Sequence, residues 1–226
     1  MSRKIIRRQR ILIQDLHNHT HFSYDGQESF EAITENAIAS GIDIIGFSDH
    51  QFTEGFSFSD YINKIRALKD RYKRDIIIKA GLEIGLRPKP DNFLARSQSK
   101  SLDYCLFESL DHPNGMDLFE FIEWRRLFSC PVGLAHTDIF SLSKRYGVDI
   151  FIVLKDNDIF WEINTSGNYN YYYDFLTNSE KRKQVKESGI TLSVGSDTHS
   201  LAGFDKRKVI SANELIKSMG NPVIFS

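Results

Sequence analysis

The chain has 226 residues, a formal net charge of −1 at pH 7 and 41% hydrophobic residues. This length fits one α/β domain spanning residues 1–226, and the balanced charge argues against a general attraction to nucleic acid or anionic membranes. We expect neither a signal peptide nor a membrane span, because no apolar stretch is long enough. Cys105 and Cys130 lie outside any CxxC pair, which indicates a reducing, cytoplasmic compartment.

The first ten residues depart from this charge balance. They carry Arg3, Lys4, Arg7, Arg8 and Arg10. We interpret them as a solvated strand or tail, with a nucleic-acid-binding arm as the alternative.

Short apolar runs alternate with helical patterns along the chain. The predicted strands are Ile11–His17, Ile42–Ser48, Ile76–Ile84, Leu102–Glu108, Val132–His136, Ile159–Asn164 and Thr191–Ser196. The predicted helices are Ser29–Ser40, Phe58–Tyr72, Asp117–Phe128, Val148–Asn157, Asn178–Ser188 and Ala212–Met219, and Arg87–Ser101 is a predicted loop. This alternation predicts a parallel sheet of seven strands, either closed as a barrel or doubly wound.

Histidines and acids follow nearly every predicted strand. In chain order they are His17, His19 and Asp25, then His50, Glu83, Asp111 with His112, His136, and finally Asp197 with His199. The carboxyl ends of parallel strands meet at one face, where active sites of such folds are built. We therefore expect these side chains to converge on one pocket.

Such a cluster indicates a metal site, because buried charges are costly unless they are paired or bind a cation. His17 and His19 are two residues apart, so both can point to one face of a strand and hold one ion. Imidazole and carboxylate donors suit Zn, Mn or Fe(II), and the lack of cysteine ligands favours an open, hydrolytic site. The sequence has no GxxxxGK[ST], GxGxxG or GxSxG motif that would indicate other chemistry.

Several of these segments resemble the motifs of the polymerase and histidinol phosphatase (PHP) domain family. They are DLHNHTHFSYDG (15–26), GFSDH (46–50), GLE (81–83), GLAHTD (133–138), EIN (162–164) and GSDTH (195–199). The resemblance implies a distorted seven-stranded (β/α)7 barrel, similar to a TIM barrel, with two to three divalent ions.

The resemblance also implies how the ligands divide among the ions. One ion would be held by His17, His19, Glu83 and Asp197; a second by Glu83, His136 and a strand-four ligand; and a third by Asp25, His50 and His199. The family's fourth motif reads Ser-Val-His, and here Asp111 aligns with its histidine, while His112 is the alternative. Asp15 and Asp49 are expected to orient imidazoles rather than to bind metal.

The activity implied is metal-dependent hydrolysis of a phosphomonoester by a hydroxide held at the ions. The segment 58–83 is similar to the histidinol-phosphatase branch, which indicates a small-molecule phosphate ester as the substrate. His17, His19, Glu83 and Asp197 would carry the reaction, and Arg145 would bind the phosphate. The alternatives are a nuclease or nucleotide phosphoesterase, and a degenerate module that binds metal without turnover. The oligomeric state stays open.

Overall fold

The computed structural model describes residues 12–87 and 91–226, so the basic N-terminal run predicted to be a tail lies outside the described residues. Strands and helices alternate in an α/β fold. The strands are β1 (Gln14–Asp15), β2 (Ile44–Phe47), β3 (Ile77–Ala80), β4 (Glu83–Gly85), β5 (Cys105–Glu108), β6 (Val132–Leu134), β7 (Ile159–Asn164) and β8 (Leu192–Gly195). The helices are α1 (Phe30–Ser40), α2 (Phe58–Tyr72), α3 (Asn92–Arg96), α4 (Leu118–Arg125), α5 (Ile139–Tyr146), α6 (Ile150–Asp156), α7 (Asn170–Thr177), α8 (Ser179–Ser188) and α9 (Lys206–Met219), with 3₁₀ turns at Gln98–Ser101 and Leu201–Gly203.

The strands form two parallel sheets, in the orders β1-β2-β3 and β4-β5-β6-β7-β8. The two sheets contact each other at two places. Next to β1, the Leu16 N–H donates to the Val194 carbonyl of β8 over 2.8 Å, and beyond β2, His50 forms a parallel bridge with Glu83 of β4. Because these contacts are also parallel, the carboxyl ends of the strands lie along one edge of the molecule.

The structure has eight strands among its described residues, where the sequence predicted seven. The predicted strand Ile76–Ile84 is divided into β3 and β4 at Gly81, whose carbonyl accepts a hydrogen bond from the Tyr61 hydroxyl over 3.0 Å. The ring of Tyr104 packs so closely here that a Cβ on Gly81 would lie 2.2 Å from it. The chain therefore leaves one sheet and joins the other at this glycine.

Several helix predictions also needed correction. The predicted loop 87–101 contains α3, which begins where the Asp91 carboxylate accepts from the Phe93 N–H over 2.8 Å. Helices α5 and α7 were not predicted, and α9 begins after Asp205 rather than at Ala212. The carboxylates of Asp91, Asp138 and Asp205 cap α3, α5 and α9, whereas α7 begins after Tyr169 without a side-chain cap.

Buried side chains form a large core and a smaller one whose residues lie in or next to the strands. The smaller core consists of Leu16, Ile44, Tyr104, Leu106, Ala135 and Phe160. Two residues beyond Leu106 and Phe160, and therefore on the same side of their strands, stand Glu108 and Glu162. The small core is thus an apolar floor beneath the acidic strand ends. No helix in the described ranges is long and apolar enough to cross a membrane.

Candidate metal centre

The most buried part of the site joins the ends of β1, β4 and β8. Nε2 of His17 and Nε2 of His19 lie 3.0 Å apart, and Glu83 Oε2 lies 3.2 and 3.3 Å from them. Asp197 Oδ1 lies 3.5 Å from the first nitrogen and 3.4 Å from the second. Nε2 of each histidine thus lies within 3.5 Å of a carboxylate oxygen of both acids.

A second set of potential ligands shares Glu83. Its Oε1 lies 2.9 Å from His136 Nε2, and Glu108 Oε2 lies 4.0 Å from the same nitrogen. The ligand atoms of Glu83, Glu108 and His136 all lie within 4.8 Å of one another. Glu83 can therefore bridge two cation positions through its two oxygens.

A third set lies nearer to solvent and consists of His19, Asp25, His50 and His199. Asp25 Oδ2 lies 3.5 Å from His50 Nε2 and 3.3 Å from His199 Nε2. The side chains of Asp25 and His199 are 30% and 33% exposed, whereas those of the most buried set are nearly inaccessible. The pocket therefore opens on this side.

Three of the imidazoles are fixed through Nδ1, so that Nε2 faces the acids. His17 Nδ1 lies 2.7 Å from Glu162 Oε1, and His19 Nδ1 lies 3.0 Å from the Ser23 hydroxyl. His199 Nδ1 lies 3.0 Å from the carbonyl of Asp197. Such contacts on the far nitrogen set the tautomer and orientation of histidines that bind metal.

Asp49 and Asp15 hold the segments that carry these histidines. Asp49 Oδ1 accepts from the Ser23 hydroxyl over 2.8 Å and from the Thr20 N–H over 2.6 Å. The same Ser23 oxygen contacts His19, so Asp49 acts on that ring through the serine. Asp15 Oδ1 accepts from the Ser196 N–H over 2.8 Å, which ties the end of β8 to β1.

The cluster stabilises its charged groups mutually. Burial would lower the pKa of His17, but Glu162, Glu83 and Asp197 raise it well above the ordinary value. Burial opposes charge on His19 too, yet its contacts with Asp197 and Glu83 raise the pKa to about 9. Burial would raise the pKa values of Glu83 and Asp197, but the neighbouring imidazoles lower both. The lowered pKa values favour the charged forms of both acids, which can neutralise the charge of a bound cation.

The pKa values of three neighbouring groups shift in the direction opposite to that of the same residue type within the buried set. Burial, then the charge of Glu83, raises the pKa of Glu108, and burial raises the pKa of Asp15 to about 6. Burial and the nearby charge of His19 lower the pKa of His199, which favours its neutral, ligating form.

The backbone is strained at three strand ends of the site. Ser109, His136 and Asp197 have φ angles of 69°, 28° and 56°, in the left-handed region that side chains other than glycine rarely adopt. Such conformations persist where the surrounding structure enforces them, and they cluster at functional sites. His136 and Asp197 are themselves potential ligands, and Ser109 directly follows Glu108.

The residues present fit divalent cations. Asp25 Oδ1 and His50 Nδ1 are buried without a hydrogen-bond partner in the protein, although His50 Nδ1 lies 3.1 Å from Glu83 Oε2. Unpaired buried polar atoms are costly, and a bound cation would remove that cost. The donors are nitrogen and carboxylate oxygen without sulfur, which suits Zn, Mn or Fe(II).

The predicted strand-four ligands are placed elsewhere. Asp111 Oδ2 accepts from the Asp138 N–H over 3.0 Å, where it holds the start of α5 instead of facing the other ligands. His112 lies 3.0 Å from an Arg87 nitrogen. Arg145, predicted to bind phosphate, donates to the carbonyls of Asp111 and His112. The structure therefore favours Glu108 over both predicted ligands.

Sequence reasoning missed Glu108 and the function of Glu162. The signal was their spacing: each follows a residue of the small apolar core by two positions on a strand, and so points to the same interior. Glu162 Oε2 also accepts from the His136 N–H over 2.9 Å, so this one carboxylate supports two histidines. His21, which we did not assign to the site, contacts the Glu28 carbonyl outside all three sets.

Aromatic rings flank the candidate ligands. The ring of Tyr169 stacks on His136 at a centroid distance of 4.5 Å, and its hydroxyl lies 3.4 Å from Asp197 Oδ2. Tyr24 stacks on His50 at 5.5 Å on the open side of the pocket. Tyr169 of the tyrosine-rich segment 169–173 thus reaches the site, while Tyr171 is buried.

Comparison with known proteins gives a match to one family model. The model of the PHP domain matches residues 15–188. A histidinol-phosphatase of Lactococcus lactis subsp. lactis is 37% identical over 78 residues, which are 32% of this chain and 29% of the relative. The alignment therefore spans less than a third of that curated protein.

Two solved structures are similar over most of the fold. One is histidinol phosphate phosphatase from Lactococcus lactis complexed with zinc, L-histidinol and phosphate, with a TM-score of 0.70, 20% identity, and coverage of 95% of this chain and 96% of that one. The other is a putative histidinol phosphatase from Listeria monocytogenes, with a TM-score of 0.61, 15% identity, and coverage of 84% and 97%. At these identities the likeness establishes the α/β fold with parallel sheets.

Proposed function

Since the chain belongs to the PHP domain family, we propose that it is a metal-dependent phosphatase that hydrolyses a small phosphomonoester similar to histidinol phosphate. The observation that carries the proposal is the meeting of His17, His19, Glu83 and Asp197: Nε2 of the two histidines lie 3.0 Å apart and 3.2 to 3.5 Å from the carboxylate oxygens of the two acids. The substrate class is supported by the Lactococcus lactis phosphatase, which was solved with L-histidinol and phosphate.

The proposed centre holds two to three ions, with zinc, manganese or iron as the metals. The three sets of potential ligands support this number, the zinc-bound structural neighbour supports zinc, and the nitrogen and oxygen donors suit manganese and iron as well. Divalent cations would lower the pKa of water toward neutrality and neutralise charge on the phosphoryl oxygens. Among the described residues, both cysteines are buried outside the three sets and the Ser23 hydroxyl donates to Asp49, which is consistent with direct attack by water.

The protein's own groups orient the reaction. Glu162 and Ser23 hold His17 and His19 so that Nε2 of each faces Glu83. The exposed edges of Asp25 and His199 leave the substrate one open side, and the apolar floor excludes water from below. Phosphate binding by Arg145 stays a prediction; its present contacts give it a role in holding the 111–112 turn.

Two further expectations belong to this proposal. A distorted barrel of the PHP type is supported by the contacts that join β1 to β8 and β2 to β4. A cytoplasmic location is supported by the Cys105 and Cys130 thiols, which lie 3.5 Å apart as free cysteines.

Phosphate release from the full chain tests the function. The protein is freed of metal with a chelator, reloaded with Mn²⁺, Zn²⁺ or Fe²⁺, and assayed with histidinol phosphate, nucleoside monophosphates and a phosphodiester. We expect turnover of a monoester only after reloading. Hydrolysis of the diester alone would favour the nuclease alternative, and no turnover with any metal would favour the degenerate module.

Variants at the site provide the control. His17→Ala and Asp197→Asn should abolish turnover, because each removes a potential ligand from the buried set. His21→Gln is the matched control, since this histidine lies close in sequence but outside the sets. Full activity of His17→Ala would refute the proposed mechanism.

A further inference from the structure

The three sets of potential ligands differ in their donor atoms. The set nearest to solvent offers three imidazoles and one carboxylate, from His19, His50, His199 and Asp25. The set of Glu83, Glu108 and His136 offers two carboxylates and one imidazole. We propose that Glu108 completes an oxygen-rich cation position that retains Mn²⁺ beside Zn²⁺ bound at the imidazole-rich position, so that the loaded protein holds two kinds of metal.

The strand register places Glu108 at this position. It pairs with Gly85 on β4, and its neighbour Phe107 pairs with Leu134 on β6. Glu108 therefore stands between Glu83 on one neighbouring strand and His136 just beyond the other. This placement is set by three hydrogen-bonded strands rather than by a loop, which makes the donor set rigid.

Among the described residues, no basic side chain close enough for a hydrogen bond neutralises the negative charge of Glu108. Glu83 and Glu108 bring two carboxylates within 4.8 Å, and His136 is the basic group between them. In the part of the chain that the structure describes, no lysine or arginine forms an ion pair with Glu108, although its side chain is only 19% exposed. Glu83 has three further imidazole contacts, with His17, His19 and His50. The separation of 4.0 Å between Glu108 and His136 is too long for a hydrogen bond, so a divalent cation between them would neutralise the charge of Glu108.

The kind of donor decides the metal preference. Affinity for divalent metals rises from Mn²⁺ to Zn²⁺ at most sites, and imidazole nitrogen strengthens that order while carboxylate oxygen suits Mn²⁺. The position at Glu108 should therefore discriminate least against Mn²⁺. When Mn²⁺ is in large excess over Zn²⁺, the two positions are expected to fill with different metals.

The inference rests on the metal centre of the proposed function, but it is tested by binding and not by turnover. Metal-free full-length protein is equilibrated with excess Mn²⁺ and one equivalent of Zn²⁺. Bound Mn²⁺ is counted by electron paramagnetic resonance, and both metals are measured after desalting. We expect at least about one Mn²⁺ per chain to remain beside Zn²⁺, with the Glu108 position as one that retains it.

Two substitutions separate the donor chemistry from folding. Glu108→Gln keeps the shape but removes the charge, and should weaken Mn²⁺ binding at least about tenfold. Glu108→His supplies nitrogen, so Zn²⁺ should displace Mn²⁺ at a lower concentration than in the unaltered protein. Glu187→Gln, on the exposed face of α8, is the matched control. Equal thermal unfolding of the metal-free variants verifies that each is folded.

Unchanged Mn²⁺ binding in Glu108→Gln would overturn the inference, as would an unchanged Zn²⁺ to Mn²⁺ ratio in Glu108→His. If the unaltered chain binds both metals as expected but hydrolyses no phosphate ester, the inference stands and the proposed activity fails. If it turns over a monoester while Glu108→Gln binds Mn²⁺ normally, the activity stands and the inference fails.

Discussion

The metal-free protein is expected to lose stability as the pH rises from 6.5 to 9. In the folded state the pKa of His19 is raised from 6.5 to about 9, and the pKa values of His17 and His136 are also raised. A group with a raised folded-state pKa binds its proton more tightly in the folded protein. Its contribution is complete below the unfolded-state pKa and is lost as the pH rises through the folded-state pKa.

The size of the effect follows from the shift of His19. A difference of one pKa unit corresponds to about 1.4 kcal/mol, so this group alone contributes about 3 kcal/mol that disappears over the interval. His17 and His136 act in the same direction. The lowered pKa of His199 acts only below pH 6.5, because above that value the imidazole is neutral in both states. The free energy of unfolding should therefore fall by about 3 kcal/mol or more.

Urea unfolding in the presence of a chelator measures this change. Trp124 and Trp161 are buried, so their fluorescence reports global unfolding at each pH. His19→Gln should reduce the slope by up to about 1.4 kcal/mol per pH unit, because one titrating group is removed. Added Zn²⁺ should stabilise the protein more at pH 8 than at pH 6, since binding displaces the same protons.

A stability that stays constant or rises between pH 6.5 and 9 in the chelated protein would refute this reasoning. So would an identical slope in His19→Gln. Either result would mean that the imidazoles are neutral in the metal-free fold and that the neighbouring acids do not raise their pKa values.

Three substitutions test the packing and orientation of the site. Gly195→Ala would place a methyl group 2.1 Å from a carboxylate oxygen of the site and should weaken metal binding at least about tenfold by calorimetry, whereas Gly203→Ala, with nothing within 4 Å, should bind normally. Ser23→Ala removes the oxygen that fixes an imidazole and should lower metal affinity about 10- to 100-fold in competition with a chelating dye; equal affinity would deny it that role. Phe121→Ala, in the large core, should cost about 3–5 kcal/mol of unfolding free energy in urea without changing metal affinity. A loss below 1 kcal/mol would contradict the packing argument for Phe121.

The sequence was most informative where one physical rule decides the outcome. Apolar runs located seven of the strands to within a few residues, and Gly41 and Gly189 end helices with left-handed φ angles of 78° and 63°, as expected for helix C-caps. The positions of His17 and His199 at the strand ends followed from the same pattern. These features depend on local composition, which a single sequence records.

Features that depend on contacts distant in sequence could not be predicted. The division of the third predicted strand requires the Tyr61 hydroxyl and the Tyr104 ring to meet Gly81, from positions 20 or more residues away. The choice among Glu108, Asp111 and His112 depended on which side of β5 faces the interior. Motif alignment favoured Asp111, but the alternation of side chains along the strand carries Glu108 inward.

Most separations between the potential ligand atoms of the buried set are closer to those between ligands of one metal ion than to those of hydrogen bonds. Hydrogen bonds between these atom types have an N···O separation near 2.9 Å. Two ligands of one tetrahedral Zn²⁺, each bound at about 2.0–2.1 Å, lie about 3.3 Å from each other. Nε2 of His17 and His19, Oε2 of Glu83 and Oδ1 of Asp197 give separations of 3.0, 3.2, 3.3, 3.4 and 3.5 Å. The three atoms of His17, His19 and Glu83 therefore have the separations of neighbouring ligands of one ion, and Asp197 Oδ1 lies beside both histidines, while the shorter contact of 2.7 Å joins His17 to Glu162 on the far side of its ring.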